Sequence, residues 1–193
     1  MPKRQTASPF GLPHIWLVSD ARNDAKLERT LRKLPRGSGL VFRHYHLPPG
    51  ERRARFFELK RLAHSRGHMV ALAASPAAAQ RWGADAAYGP PHSLARGPAT
   101  LRLVTAHSLR ELAQAMRARA DAILLSPAFP TRSHPGESAL GQVKFRQLAA
   151  RARVPVIALG GMNKRRARQL KAPRWAAIDG LCDETNRPIP KDS

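Results

Sequence analysis

Short apolar runs alternate along this chain with longer segments that carry apolar residues at helical spacing. Runs of this length, bounded by polar or turn-forming residues, are typical of buried strands, whereas the i, i+4, i+7 pattern indicates amphipathic helices. Strands are predicted over residues 14–20, 39–46, 68–74, 85–89, 100–106, 122–129, 154–161 and 175–182. Helices are predicted over residues 23–34, 48–66, 75–83, 107–120, 141–153 and 163–171.

The regular alternation of strand and helix predicts a parallel sheet with right-handed crossovers. Eight strands in one chain of 193 residues favour a compact TIM (β/α)8 barrel, a single domain over residues 1–193 with the barrel at about 14–182 and short tails. An open doubly wound sheet is the alternative, but "SDARND" stands after the first strand where a glycine fingerprint would be needed. Residues 90–99, "PPHSLARGPA", are predicted as a loop because of their proline and glycine content.

The chain is strongly basic, with 34 Lys and Arg against 13 Asp and Glu and a formal net charge of +21. Such a charge attracts anionic ligands or polyanions. The basic residues are spread over nearly every segment, so a solvated Arg-rich surface is the favoured interpretation. The alternative is a non-catalytic barrel that binds RNA or another polyanion through "RRARFFELKR" (52–61) and "KRRARQLK" (164–171).

Cys182 is the only cysteine, which excludes an internal disulfide and any metal site with two cysteine ligands. No apolar run approaches the roughly 18 residues that a membrane span needs. The first residues lack the apolar core of a secretory signal. We therefore expect a cytoplasmic protein without a membrane partner; the oligomeric state is left open.

Two glycines end the seventh predicted strand, in "ALGGMNKRRARQL". In TIM barrels phosphate often binds to the loops after strands seven and eight. Gly160 and Gly161 would let backbone approach a ligand, and the helix that starts near Asn163 would offer free N–H groups. This pattern is consistent with a phosphate site, although an ordinary strand-to-helix turn has the same composition.

The loop after the sixth strand carries hydroxyls and cations, in Thr131, Arg132, Ser133 and His134. Both kinds of group suit phosphate oxygens. A solvent loop rich in turn formers is the alternative interpretation.

Three segments together resemble thiamine phosphate synthase and its thiazole tautomerase relatives, a family of compact (β/α)8 barrels. They are "GADAAYG", "TAHSLRELAQAMRARADAILLSPAFPTRSHPGESALG" and "VPVIALGGMN". The similarity runs in order over about residues 14–182 and is specific from about 84 to 163. Its strongest element is "SPAFPTRSHP", which resembles the family loop G-P-x-F-P-T-x-T-K.

The resemblance implies a reaction and a set of binding residues. The family synthase joins a hydroxymethylpyrimidine diphosphate to a thiazole phosphate and releases pyrophosphate, using magnesium. Thr131, Arg132, Ser133 and Gly161, with the end of strand eight near Asp179 and Gly180, would bind this small phosphorylated heterocycle.

For the pyrimidine diphosphate, the resemblance implies three further residues. Thr105 stands in the place of a family serine and His134 in the place of a family lysine. Arg43 is the residue retained from the family run Q-x-R-E-K.

Mg²⁺ is expected for the family, but its carboxylate ligands are missing here, and no other cofactor is evident. The Asn-Asp pair after strand three is replaced by Ala73 and Ala74, and the second aspartate falls nearest Ser93. Alanine and serine do not supply the oxygens that magnesium prefers. A lost or changed activity is therefore favoured over replacement of the metal by Arg43, Arg132 and His134.

Other positions carry weaker expectations. The tautomerase histidine is replaced by Pro127, and a carboxylate at Asp179 would repel phosphate unless it points elsewhere. His44 and His46 would share one face of the second strand as a polar pair without metal. A structural role is expected for His107, with Ser108 as a helix cap.

Overall fold

The computed structural model, which describes residues 11–131 and 138–182, shows a closed barrel of eight parallel strands in chain order. The predicted compact TIM barrel is therefore confirmed. The strands are β1 Ile15–Val18, β2 Gly39–Phe42, β3 Met69–Ala73, β4 Ala86–Gly89, β5 Leu101–Ala106, β6 Ala122–Leu125, β7 Val156–Ala158 and β8 Trp175–Ala177.

Helices connect the strands on the outside of the barrel. They are α1 Leu27–Lys33, α2 Pro49–Ser65, α3 Pro76–Arg81, α4 Pro91–Leu94, α5 Leu109–Arg117, α6 Gly141–Ala149 and α7 Lys164–Leu170, with a 3₁₀ helix, Ala21–Lys26, ahead of α1. Within the described ranges, no helix combines the length and the apolar composition required to cross a bilayer.

Two predicted elements differ from the structure. The predicted loop over 90–99 contains the one-turn helix α4, which has proline in its opening turn, where a missing N–H does no harm. The predicted strand 39–46 ends at Phe42, because His44 has a positive φ of 37° that takes the backbone out of the extended conformation. His44 and His46 therefore do not share a strand face, although their ring centroids lie 5.1 Å apart.

The strands bury both faces, as expected for a parallel sheet. Successive side chains alternate between the lumen and the helix layer, so that Trp16 and Val18 pack inside while Leu17 packs against the outer helices. Trp16 fills the lumen across Gly39, where any Cβ would overlap the indole ring. Its Nε1–H donates to the Pro13 carbonyl over 3.0 Å.

Candidate functional site

A cavity opens at the carboxyl ends of the strands, on the face where barrels of this kind carry their chemistry. Side chains and backbone from the β2, β5, β6, β7 and β8 ends contribute to it. The lining residues are Arg43, His107, Ser126, Pro127, Thr131, Leu159, Gly160, Gly161, Met162, Ala177, Ile178, Asp179 and Gly180.

Gly160 holds the loops after β6 and β7 together. Its φ is +91°, and a Cβ built on it would stand 2.6 Å from the Pro127 Cα. The Gly160 carbonyl accepts from the Phe129 N–H over 3.1 Å, while the Ala128 N–H donates to the Leu159 carbonyl over 2.8 Å. Only glycine fits this position without moving one loop from the other.

Gly161 and Gly180 extend this contact, and Gly180 brings in the loop after β8. A Cβ on Gly161, where φ is +59°, would stand 2.5 Å from the Pro130 carbonyl oxygen. A Cβ on Gly180 would overlap the Met162 carbonyl oxygen, although the φ of Gly180 is ordinary. The loops after β6, β7 and β8 thus converge on one rim, and their backbone is uncovered by side chains at three positions.

The residues predicted to bind ligand are only partly brought together. Thr131 and Arg43 line the cavity with the glycines, but Thr105, at the end of β5, is not among the lining residues. Arg132, Ser133 and His134 lie outside the described residues. Their assignments therefore stay predictions.

His107, which was expected to be structural, lines the cavity beside Ser126. Its Nδ1 lies 3.0 Å from the Ser126 carbonyl oxygen. A carbonyl can only accept, so Nδ1 carries the proton and Nε2 of the neutral ring is an acceptor. The predicted cap is confirmed, since Ser108 Oγ accepts from the Glu111 N–H over 3.2 Å.

Asp179 lines the cavity, where its negative charge would repel a phosphate, but a nearby arginine partly neutralises that charge. Arg22 Nη1 lies 3.6 Å from Asp179 Oδ2, and Arg22 Nε donates to Asp20 over 2.9 Å. Partial burial acts to raise the pKa of Asp20, but hydrogen bonds from Arg22 and the nearby Arg43 outweigh it and hold that pKa below its ordinary value. Arg22 therefore reduces the repulsion that a phosphate would meet.

A buried hydrogen-bond chain fixes the backbone of Arg43. Ser19 Oγ accepts from the Arg43 N–H over 2.8 Å and pairs with His44 Nδ1, also over 2.8 Å. His44 Nε2 in turn lies 2.8 Å from Asp24 Oδ1. Burial lowers the pKa of His44 against the opposing effect of Asp24, which favours the neutral imidazole as the link between Ser19 and Asp24.

The basic tract 52–61 lies on α2, and part of its charge is internally paired. Arg55 donates to Asp24, Glu28 and Glu58. This network raises the pKa of Arg55 despite the opposing effect of burial. Arg55 is therefore a stabilising ion-pair centre, and it contributes little to a surface for polyanions.

Comparison with known proteins agrees with this geometry. A model of the family described as thiamine monophosphate synthase matches residues 15–181. The chain belongs to the thiamine monophosphate synthase family. A protein of Aquifex aeolicus named putative thiamine-phosphate synthase 2 is 39% identical over 59 residues, which is 31% of this chain and 32% of that protein. The matched stretch thus spans about a third of the relative.

Solved structures share the fold. Thiamine phosphate pyrophosphorylase from Pyrococcus furiosus superimposes with a TM-score of 0.72 at 20% identity, over 90% of this chain and 89% of that one. The pyrophosphorylase from Bacteroides thetaiotaomicron gives 0.57 at 14% identity, over 93% and 89%. At these identities the likeness extends to the fold alone.

The magnesium expected for a thiamine monophosphate synthase does not fit the described residues where the family would hold it. Ala73 ends β3 and Ala74 follows it, so neither supplies an oxygen from its side chain. Instead, the guanidinium of Arg52 donates to the Ala73 carbonyl over 2.9 Å. A divalent cation at this strand end would therefore be repelled by the fixed positive charge of Arg52. Nowhere in residues 11–131 and 138–182 do three His, Cys, Asp or Glu side chains cluster as a metal site.

The thiol of Cys182 lies beside Thr30 of α1. It is half-buried, accepts from Thr30 Oγ1 and donates to the Ile178 carbonyl over 3.3 Å. Burial raises the pKa of this thiol, which disfavours a nucleophilic thiolate.

Proposed function

We propose that this protein binds a thiazole phosphate, or a similar phosphorylated heterocycle, in the cavity at the carboxyl ends of its strands. The observation that carries the proposal is the convergence of Gly160, Gly161 and Gly180 on one rim, where the loops touch so closely that no Cβ fits. The same three glycines line the cavity, and glycine backbone can approach phosphate oxygens directly. The family to which the chain belongs supports the choice of ligand.

Each lining group has a role in this proposal. The phosphate lies against the glycine rim, and the Thr131 hydroxyl donates to one of its oxygens. His107 offers Nε2 as an acceptor to a donor on the heterocycle, and Ser126 holds the His107 ring in place. Arg43, which also lines the cavity, supplies positive charge towards a second, diphosphate-bearing ligand.

Calorimetric titration with thiazole phosphate tests the binding, with Thr131→Ala as the variant. We expect saturable binding to the wild type and about 10-fold weaker binding to the variant, because a hydrogen bond to a charged oxygen is lost. Equal affinity of the two proteins would remove Thr131 from the site.

Incubation with both family substrates tests the transfer reaction. The activity is expected to be changed or absent, because the metal ligands of the family are not found at Ala73 and Ala74. If the protein binds thiazole phosphate but forms no thiamine phosphate, with or without Mg²⁺, it is a binding protein without synthase activity. Product formed in EDTA would instead assign a metal-independent synthase.

A further inference from the structure

Arg52, which closes the first turn of α2, reaches over the carboxyl ends of β2 and β3. Its Nε donates to the Arg43 carbonyl over 2.9 Å and its Nη2 donates to the Ala73 carbonyl, also over 2.9 Å. Two backbone acceptors on neighbouring strands thus fix the guanidinium at the mouth of the barrel. Nothing in the sequence pattern distinguished Arg52 from the other arginines of the tract.

Aromatic rings surround this guanidinium. Its carbon lies 5.8 Å from the centroid of Phe42, 5.5 Å from that of Tyr45 and 5.6 Å from that of Trp82. These contacts are within the range of cation–π attraction and restrict the side chain to one place. A side chain that is already ordered loses little entropy when it binds a ligand.

The charge of Arg52 has no anionic counterpart among the described residues. No carboxylate lies within ion-pair distance of it there, in contrast to Arg55 one turn along the same helix, which has three. Arginine stays charged in proteins, and a partly buried cation without a counter-ion is unfavourable. The two carbonyls leave Nη1 and the second Nη2 proton without a partner in that part of the chain, so donors remain for an anion.

Arg43 adds a second cation beside it. The guanidinium of Arg43 lies 5.7 Å from the Tyr45 ring that Arg52 also contacts, and Arg43 lines both the cavity at the strand ends and a separate recess with His46. The nearest carboxylate oxygen to it, on Asp20, is 3.9 Å away and belongs to a residue that pairs more closely with Arg22. Among the described residues, the mouth therefore carries a fixed guanidinium, that of Arg52, without a carboxylate partner, and a second one, that of Arg43, whose only carboxylate partner is Asp20 at 3.9 Å.

We propose that Arg52 and Arg43 form a metal-free subsite for a diphosphate group at the ends of β2 and β3, with Arg52 at the place where the family would hold magnesium. The assignment of this diphosphate to a second substrate rests on the proposed function. The capture of an inorganic diphosphate does not depend on it. Two arginines supply the forked donors and the charge that a metal would otherwise provide.

Titration of the full chain with inorganic pyrophosphate in EDTA tests the subsite. We expect saturable binding to the wild type, weakened at least about 10-fold in Arg52→Gln, since a charge-assisted hydrogen bond is lost. Arg53→Gln is the matched control: it removes the same charge from the next residue of α2, where the side chain packs over Phe57, and should change the affinity less than about 2-fold.

Three results would overturn the subsite: no pyrophosphate binding in EDTA, binding that requires Mg²⁺, or equal losses in the two glutamine variants. If Arg52→Gln fails to fold, pyrophosphate binding to Arg43→Gln tests the subsite instead. Among the described residues the Arg43 side chain makes no hydrogen bond to the backbone, so this variant is expected to fold. A parallel titration with thiazole phosphate separates the two proposals. Pyrophosphate binding without thiazole phosphate binding would keep the subsite and refute the proposed function.

Discussion

Replacement of Gly160 by alanine tests whether the β6 and β7 loops must touch for the barrel mouth to form. The new Cβ would stand 2.6 Å from the Pro127 Cα and 2.8 Å from its Cβ, in a backbone with φ of +91°. The positive φ costs a residue other than glycine about 1–2 kcal/mol. Overpacking against backbone adds about 1–3 kcal/mol, so Gly160→Ala should lower the free energy of unfolding by about 2–5 kcal/mol.

Gly141→Ala is the matched control, because Gly141 also has a positive φ, of +69°, but nothing lies within 4 Å of its Cβ position. Gly141→Ala should lower the free energy of unfolding only by the cost of the positive φ, about 1–2 kcal/mol. The entropy that alanine removes from the unfolded chain acts on both variants and cancels in their difference. Urea unfolding followed by tryptophan fluorescence gives both values. Equal destabilisation would refute the idea that contact between the loops excludes a side chain at Gly160.

Three further outcomes follow from buried groups elsewhere in the barrel. Burial lowers the pKa of His68 from 6.5, so the neutral form is favoured by folding; its contribution is complete above about pH 6.5 and is lost as the pH falls below that value. His68→Gln should therefore show a shallower fall in urea midpoint between about pH 7.5 and pH 5 than the wild type, and an identical slope would contradict the assignment. Burial raises the pKa of Tyr88 to about 12, so in a Tyr45→Phe variant the near-ultraviolet absorbance of tyrosinate should rise only in that region, and a rise around pH 10 in the folded protein would contradict this. The raised pKa of Cys182 predicts slow reaction with a disulfide reagent at neutral pH in the folded chain and fast reaction in urea, whereas equal rates would show an exposed thiol.

The hydrophobic pattern was sufficient to predict the barrel, because the periodicity of each strand and helix is a local signal that does not depend on long-range contacts. It was wrong where a single backbone angle decides the outcome. The residues around His44 have an alternating pattern that suits a strand, but the side chain bonds to Ser19 and Asp24 require a turn. A bond to residues some 20 positions away leaves no local signal.

The candidate site was predictable in its backbone and less so in its side chains. Gly160 and Gly161 stood out because adjacent glycines after a strand have a local meaning, and Thr131 because of the family loop. Arg52 was hidden among similar arginines, since only the fold shows which of them lacks a carboxylate. The role of His107 could not be predicted either, because its tautomer is set by a carbonyl at the end of the neighbouring strand, which only the fold reveals.

Phosphate binding at the glycine rim is tested most directly by a competition experiment. Thiazole phosphate is titrated into the wild-type chain by calorimetry, with and without excess inorganic phosphate, and the same titration is repeated with Gly161→Ala. We expect saturable binding that phosphate weakens and that the alanine variant loses, since its Cβ would stand 2.5 Å from the Pro130 carbonyl oxygen and push apart the loops that form the rim. Absence of binding to the wild type, or unchanged affinity in Gly161→Ala while the variant remains folded, would contradict it.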